Sequence, residues 1–420
     1  MRKKFRLLTL LAIAIIPLSC LKDHVNYTYT IQTPVLQTLS SIRASMKTFA
    51  AEPLQNPGKI YSYGQYIFLN ERDKGIHVID NSDPSKPKNI GFIKIPGNED
   101  LAIKGSILYA DSYGDLVALD ISDPLHAAVK KIIGNVFKNH TMYYNDNTNP
   151  DSVLIITDWI QKDTTVNFDT YNRFIAYYGG CANCMIPLSM TTASSATTPN
   201  QGTGGSLARF TLVNDFLYTL SSPDLSSFDI TTPADPSFAG KTSLDWNAET
   251  LFPFKDKLFV GASTGMFIFD IQSNPAVPQA AGQFTHVRSC DPVVTDGDYA
   301  YVTLSSGTTC MGFDNELDIV NISNLANASL KKVYPLTHPR GLGKDGNILF
   351  ICDDLEGIKV YDAADVNNLH LLKQCKNGTM LDVIAQHGLA LVLGLHGLYE
   401  YDYSDINNIH LVGTLLISGN

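Results

Sequence analysis

From residue 59 onward the apolar positions come in short runs, most of them alternating with polar ones, and Gly, Asn, Asp and Pro separate the runs. A spacing of two predicts strands, and the punctuation predicts tight turns between them. The runs also recur. Gly75-Ile-His-Val-Ile-Asp80-Asn-Ser-Asp-Pro84 returns as Asp115-Leu-Val-Ala-Leu-Asp120-Ile-Ser-Asp-Pro124, a shift of 40 residues, and further copies place the same anchor at Asp229, Asp270, Asn321, Asp362 and Asp402. Upstream lies a turn and an aromatic-rich strand, as in Gly64-Gln-Tyr-Ile-Phe68, Asp215-Phe-Leu-Tyr218 and Gly297-Asp-Tyr-Ala-Tyr301; downstream lies another apolar run, as in Val412-Gly-Thr-Leu-Leu-Ile417.

Seven units of four short strands predict an all-β fold, a seven-bladed β-propeller of four-stranded blades over 59–420. A lone four-stranded sheet cannot bury both faces, so each unit gains its core only by stacking on the next, and closing the ring hides the end sheets. Helical repeats are excluded because no 3.6-residue period is sustained. The anchor Asp is read as structural, its carboxylate accepting backbone N–H groups in the turn that ends the third strand.

Two segments do not repeat. The second and third anchors are too far apart for one unit, which assigns an insertion to 138–206 between blades 2 and 3. Its start, Val153-Leu-Ile-Ile-Thr-Asp-Trp159, reads as a strand, and 191–206, rich in Ser, Thr and Gly, reads as flexible loop. An inter-blade connection belongs on the face where the inner strands begin, so the insertion is expected over the channel mouth, as a binding surface or as a plain spacer. Within 21–58, the three- and four-residue spacing of Leu36, Leu39, Ile42, Met46 and Phe49 predicts one short helix, preceded by tether.

Residues 1–20 read as a leader: Arg2, Lys3, Lys4 and Arg6 precede an apolar run from Leu7 to Ile16 that is too short for the roughly twenty residues a spanning helix needs. Pro17-Leu18-Ser19-Cys20 resembles a bacterial lipobox, which implies lipidation at Cys20; secretion with cleavage nearby is the alternative. Lys22-Asp23 resembles the charged signal that sends some lipoproteins to the outer face of the outer membrane. The expectation is therefore an exported, lipid-anchored protein at the cell surface. The chain holds 31 Lys+Arg against 41 Asp+Glu. Without the four leader cations the excess of acids grows further, which argues against a nucleic-acid partner.

Val78-Ile-Asp80, Ala118-Leu-Asp120, Ile268-Phe-Asp270 and the Ser-Asp-Pro turns resemble the LVIVD-repeat family over about 59–417. That resemblance implies an exported or cell-surface propeller and carries over no catalytic residue. Asn321 in place of Asp, and the missing Gly before the second strand of the third unit, depart from it.

Aligning the units places Lys59, Glu99 with Asp100, Arg209, Glu249, Asp291, Arg340 and Asp382 at the start of the innermost strands, with His338 beside them. The ring is read as charges that satisfy one another, or as a site for a polar or cationic ligand, with Ca²⁺ capture as a minor branch and no other metal or cofactor implied. Six cysteines besides Cys20 favour disulfides in an exported chain: Cys290 with Cys310, Cys352 with Cys375, and Cys181 with Cys184 locally, the last a C-x-x-C for which redox or metal use stays open. Gly261-Ala-Ser263-Thr-Gly265 fits G-x-S-x-G but lies in a predicted hairpin, not on a nucleophile elbow, and the Asn145–Asp151 run lacks the Gly and Glu of an EF-hand. Two readings follow: a non-enzymatic scaffold that binds a protein or glycan partner, or a hydrolase or lyase using channel-mouth carboxylates. Two carboxylates, or one with His338, converging in a pocket would favour the enzyme.

Overall fold

The computed structural model describes residues 26–137, 154–167, 202–221, 223–244, 248–285, 292–306 and 314–417. Seven antiparallel sheets form the propeller. Their inner strands are Pro57–Tyr63, Leu101–Lys104, Phe210–Val213, Ala248–Phe254, Val293–Asp296, Leu342–Asp345 and Met380–Gln386. Each inner strand touches the next around a ring, and the last meets the first. From each, the sheet runs outward through three hairpins. One face of the ring therefore carries the connections between blades and the second-to-third hairpins, and the opposite face carries the other two turns of every blade.

The anchors act as read from the sequence. In all seven blades the anchor side chain accepts a backbone N–H two or three residues on, at 2.8–3.2 Å, Asn321 doing so like the six Asp. At Asp120, the Ser122 N–H and then the Lys130 side chain hold the carboxyl down to about 2. Every outer strand also bulges by one residue opposite the middle of the third strand, at Ile90, Lys130, Ala239, Ala281, Lys331, Leu372 and Val412. The bulge bends and twists the strand.

The residue after the bulge faces the anchor turn of the following blade. A Cβ there would lie 1.8 Å from Leu325 O at Gly282, 2.0 Å from Pro84 O at Gly413 and 2.2 Å from Ala276 O at Gly240. Blade 2 instead has Lys131, paired with Asp235 of the blade 3 turn. Tyrosine hydroxyls tie the same junctions: Tyr109 and Tyr218 donate to Pro233 O and Pro275 O at 2.8 Å, and Tyr334 to Val366 O at 3.0 Å.

Ring closure uses no shared strand, because blade 7 comes wholly from the C-terminal stretch and blade 1 keeps its own four strands. Side chains seal the junction. Ile60, Ile67, Leu69 and Ile79 pack with Ile384, Leu391, Leu393 and Leu398. Asn81 Nδ2 donates to Glu400 Oε2 at 2.9 Å, and Gln386 Nε2 donates to Ser62 Oγ at 2.9 Å.

The N-terminal segment differs from the expected single helix over 36–49. Asn26–Thr38 is a strand, only Leu39–Ala44 is helical, and Lys47–Phe49 is again a strand. Thr38 caps the helix by accepting from Ser41 N, and Ile42 is fully buried. Lys47–Phe49 pairs antiparallel with the outer strand Lys88–Lys94 of blade 1, so an unpaired sheet edge outweighs the helical spacing around it. Arg43 grips Asp115 with two hydrogen bonds of 2.7 and 3.0 Å.

A second unit includes, among the described residues, 26–36 and 156–167. Its described part is a two-stranded ribbon in which Thr28 Oγ1 meets Thr165 Oγ1 at 2.8 Å and Thr30 donates to Asp163 at 2.7 Å. The predicted strand at the start of the insertion is present and longer, Leu154–Asn167. Trp159 and Ile160 on it are 41% and 59% exposed. The leader, Cys20, Lys22 and Asp23 lie outside the described residues; among the described residues no helix is long and apolar enough to cross a membrane.

Candidate functional site

The starts of the inner strands gather at the connection face, and there the chain fills its own channel. Thr203–Gly204 pairs antiparallel with Tyr61 and Ser62 on the channel side of blade 1. Gly202 N donates to Ile103 O of blade 2 at 3.2 Å and Gly205 N to Ile60 O at 3.1 Å. Ser206 Oγ then donates to Asp382 Oδ1 of blade 7 at 2.8 Å and accepts from Leu342 N of blade 6 at 2.7 Å. The expected flexible loop over 191–206 therefore ends, at 202–206, in a buried plug. Its glycines serve close approach: a Cβ on Gly202 would meet the Tyr61 ring at 2.2 Å, and one on Gly205 would meet Asp382 Oδ2 at 2.0 Å.

The charged ring serves this plug. Lys59 Nζ donates to Leu207 O, and Arg209 N donates to Asp100 Oδ2. Arg209 Nη1 donates to Glu99 Oε2 at 2.6 Å. Burial pushes the Asp100 and Asp382 carboxyls up and the Lys59 ammonium down, and the attraction of Lys59 for both acids works against each shift. Glu249 is half-buried at a bulge in the blade 4 inner strand. Asp291 lies outside the described residues. Ser206→Ala is expected to cost about 2 kcal/mol, since it strips a buried carboxylate and a buried N–H of one shared partner; a shifted urea midpoint at unchanged slope is the check.

His338 and Arg340 converge on a residue the sequence did not single out. His338 Nδ1 lies 3.2 Å from Asp354 Oδ2, and Arg340 Nη2 donates to the same oxygen at 2.9 Å. Ser305 Oγ is also near, 3.5 Å from His338 Nδ1. This brings Ser, His and Asp together without the geometry of a relay. A nucleophile and its orienting acid must address different ring nitrogens, and here both face Nδ1 while Nε2 faces Ser306 O at 2.7 Å. Ser263 sits in the hairpin between Lys257–Ala262 and Gly265–Asp270, as its context predicted.

Asp111 and Asp353 were also missed. Asp111 Oδ1 accepts from Glu99 N and Asp100 N at 2.8 and 2.9 Å, and Asp353 accepts from Thr337 N and His338 N. Asp111 lies near the end of the second strand Ile107–Ser112 and Asp353 just after the second strand Ile348–Cys352, and each fixes the segment that leads into its own inner strand. Leu108-Tyr-Ala-Asp111 aligns with Leu349-Phe-Ile-Cys352, so the two acids stand one position apart and no repeated motif marks them. Among the described residues no three His, Cys, Asp or Glu side chains stand where they could hold a metal ion.

The pairing of Cys352 with Cys375 is not formed: both are free. Each registers with Ile358 on the strand between them, so they stand two strand spacings, about 10 Å, apart, beyond disulfide reach. Burial raises the Cys352 thiol well above its ordinary range. Cys181, Cys184, Cys290 and Cys310 lie outside the described residues.

Comparison with known proteins agrees with this architecture. Solved structures similar in fold include a Lactobacillus plantarum protein (TM-score 0.52, 11% identity, 80% of this chain and 89% of that one). Others are Saccharomyces cerevisiae Sqt1 (0.52, 7%, 89% and 88%) and the computationally designed Ika8 protein (0.51, 10%, 88% and 91%). At these identities the likeness concerns the fold alone. No curated protein matches the chain in sequence. The LVIVD repeat matches residues 58–93, 98–133 and 288–335, so the chain is a seven-bladed propeller that carries LVIVD repeats in its first, second and fifth blades.

Proposed function

We propose that the protein is a non-enzymatic binding scaffold, exported and held to a membrane through a lipid on Cys20, and that it engages a protein or glycan partner on the connection face. The observation that carries the scaffold reading is the self-filled channel mouth. Asp382 holds Ser206 of the plug, Lys59 holds Leu207 just after it, and Arg209 takes up Glu99 and Asp100, and the Ser-His-Asp meeting at His338 lacks relay geometry. Nothing there favours the hydrolase or lyase reading. The insertion contributes a ribbon whose Trp159 and Ile160 are open to solvent, and tryptophan is among the side chains enriched at interface hot spots.

Two measurements test this. Expressed in a Gram-negative host, the full chain is expected to incorporate a clickable palmitate analogue and to sediment with membranes, and Cys20→Ala is expected to lose both; labelling that survives the substitution refutes the anchor. A photocrosslinking residue at position 159 on intact cells is expected to give a discrete adduct that the same residue at position 371 does not. Equal adducts at both positions, or none, refute the binding surface.

A further inference from the structure

On the opposite face, between blades 3 and 4, a cavity of 460 Å³ opens among Val213, Asn214, Phe216, Lys255, Gln272 and Pro275. Its size falls within the range of roughly 300–1,000 Å³ typical of small-ligand sites. The sevenfold repeat supplies its own internal comparison. The inner-to-second turn of every blade needs a left-handed residue, and Gly64, Gly105, Gly297 and Gly346 provide it in four of them. In blades 3, 4 and 7 the same position is Asn214 (φ 54°), Lys255 (φ 55°) and His387 (φ 52°), and the first two line this cavity. Asn adopts that conformation with modest cost. Lysine gains nothing from it, and strained backbone of this kind clusters at functional positions.

The lining combines apolar and polar residues. Phe216 is half-buried and stacked on Tyr218, ring centroids 6.1 Å apart. Tyr218 is itself pinned by its bond to Pro275 O, so the aromatic wall is rigid. The lining also includes the amides of Asn214 and Gln272 and the carboxylates of Asp215 and Asp256. Those two acids are already neutralised, Asp215 by Lys104 at 2.7 Å and Asp256 by Lys257 at 2.8 Å. Lys255 is exposed and has no carboxylate partner among the described residues; its ammonium lies 5.0 Å from the Phe254 ring centroid.

We propose that this cavity binds a saccharide carrying a carboxylate. A pyranose presents C–H groups on one face, which suit the Phe216 wall, and hydroxyls around its edge, which suit amides and carboxylates. The ring acid would meet the one lining cation left without a counter-charge. The site is separate from the connection face and stands whether or not that face binds a partner.

The test is calorimetric titration of the full chain with a galacturonic acid trisaccharide and with the neutral galactose trisaccharide. The acidic sugar is expected to bind about tenfold tighter. Lys255→Gly restores the residue of the sister turns, so it is expected to leave the melting temperature unchanged or raised while abolishing the preference for the acidic sugar. Phe216→Ala is expected to weaken both sugars. Failure of the acidic sugar to bind overturns the proposal, as does binding whose preference Lys255→Gly leaves intact.

Discussion

Gly282→Ala is expected to lower the free energy of unfolding by about 3 kcal/mol or more. The added Cβ would sit 1.8 Å from the carbonyl oxygen of Leu325. That oxygen belongs to backbone, not to the free end of a side chain, so it cannot swing away. Relief requires blades 4 and 5 to separate, and the core between them, in which Phe252, Phe259 and Met266 pack with Val293, Val302 and Leu317, would open with them. Gly64→Ala is the control: nothing lies within 4 Å of its Cβ, and only its left-handed φ of 59° is strained, worth about 1 kcal/mol. Chemical denaturation of both variants checks this. If the two losses are equal, the blade spacing is not set at Gly282.

Glu400→Gln is expected to stabilise the protein at alkaline pH and to leave it little changed in acid. Burial pushes the Glu400 carboxyl up from an ordinary 4.5 to about 7, opposed by the bond from Asn81. The folded chain thus holds this proton more tightly than the unfolded chain does. Its contribution is fully present below about pH 4.5 and is lost as pH rises through about 7. The full swing is about 3 kcal/mol. Glutamine carries no charge to bury, and its amide can donate to Asn81 Oδ1, a buried oxygen with no hydrogen-bond partner. The difference in stability between variant and parent should therefore grow by about 3 kcal/mol between pH 4.5 and pH 8. A difference that stays flat with pH would show that Glu400 titrates no differently in the folded chain.

The blades were legible because their signal is repeated. Seven anchors, each bonding its own turn within three residues, depend on local spacing alone. Where a segment's conformation depends on a distant partner, the sequence misled. Lys47–Phe49 carries part of a helical spacing but follows the free edge of Lys88–Lys94. Glycines at 202, 204 and 205 read as looseness, yet they mark contact with Tyr61 and Asp382, which lie far away along the chain. The described members of the charged ring stand at inner-strand starts, but what Asp382 and Lys59 hold, the chain's own Ser206 and Leu207, could not be seen before the plug was. Cys352 and Cys375 failed for the opposite reason: sharing a face is not enough when a whole strand stands between two thiols.

The way the ring closes bears on how such a chain can change over generations. In six blades, all four strands lie on one uninterrupted stretch, so a duplication or deletion of about forty codons adds or removes a whole sheet and leaves no orphaned half. Blade 1 is different. Its sheet of six strands also draws Lys47–Phe49 and Thr203–Gly204 from elsewhere, so it cannot be copied by itself. A lineage of such rings can vary its blade count anywhere except at the unit that ties the N-terminal strap and the channel plug together.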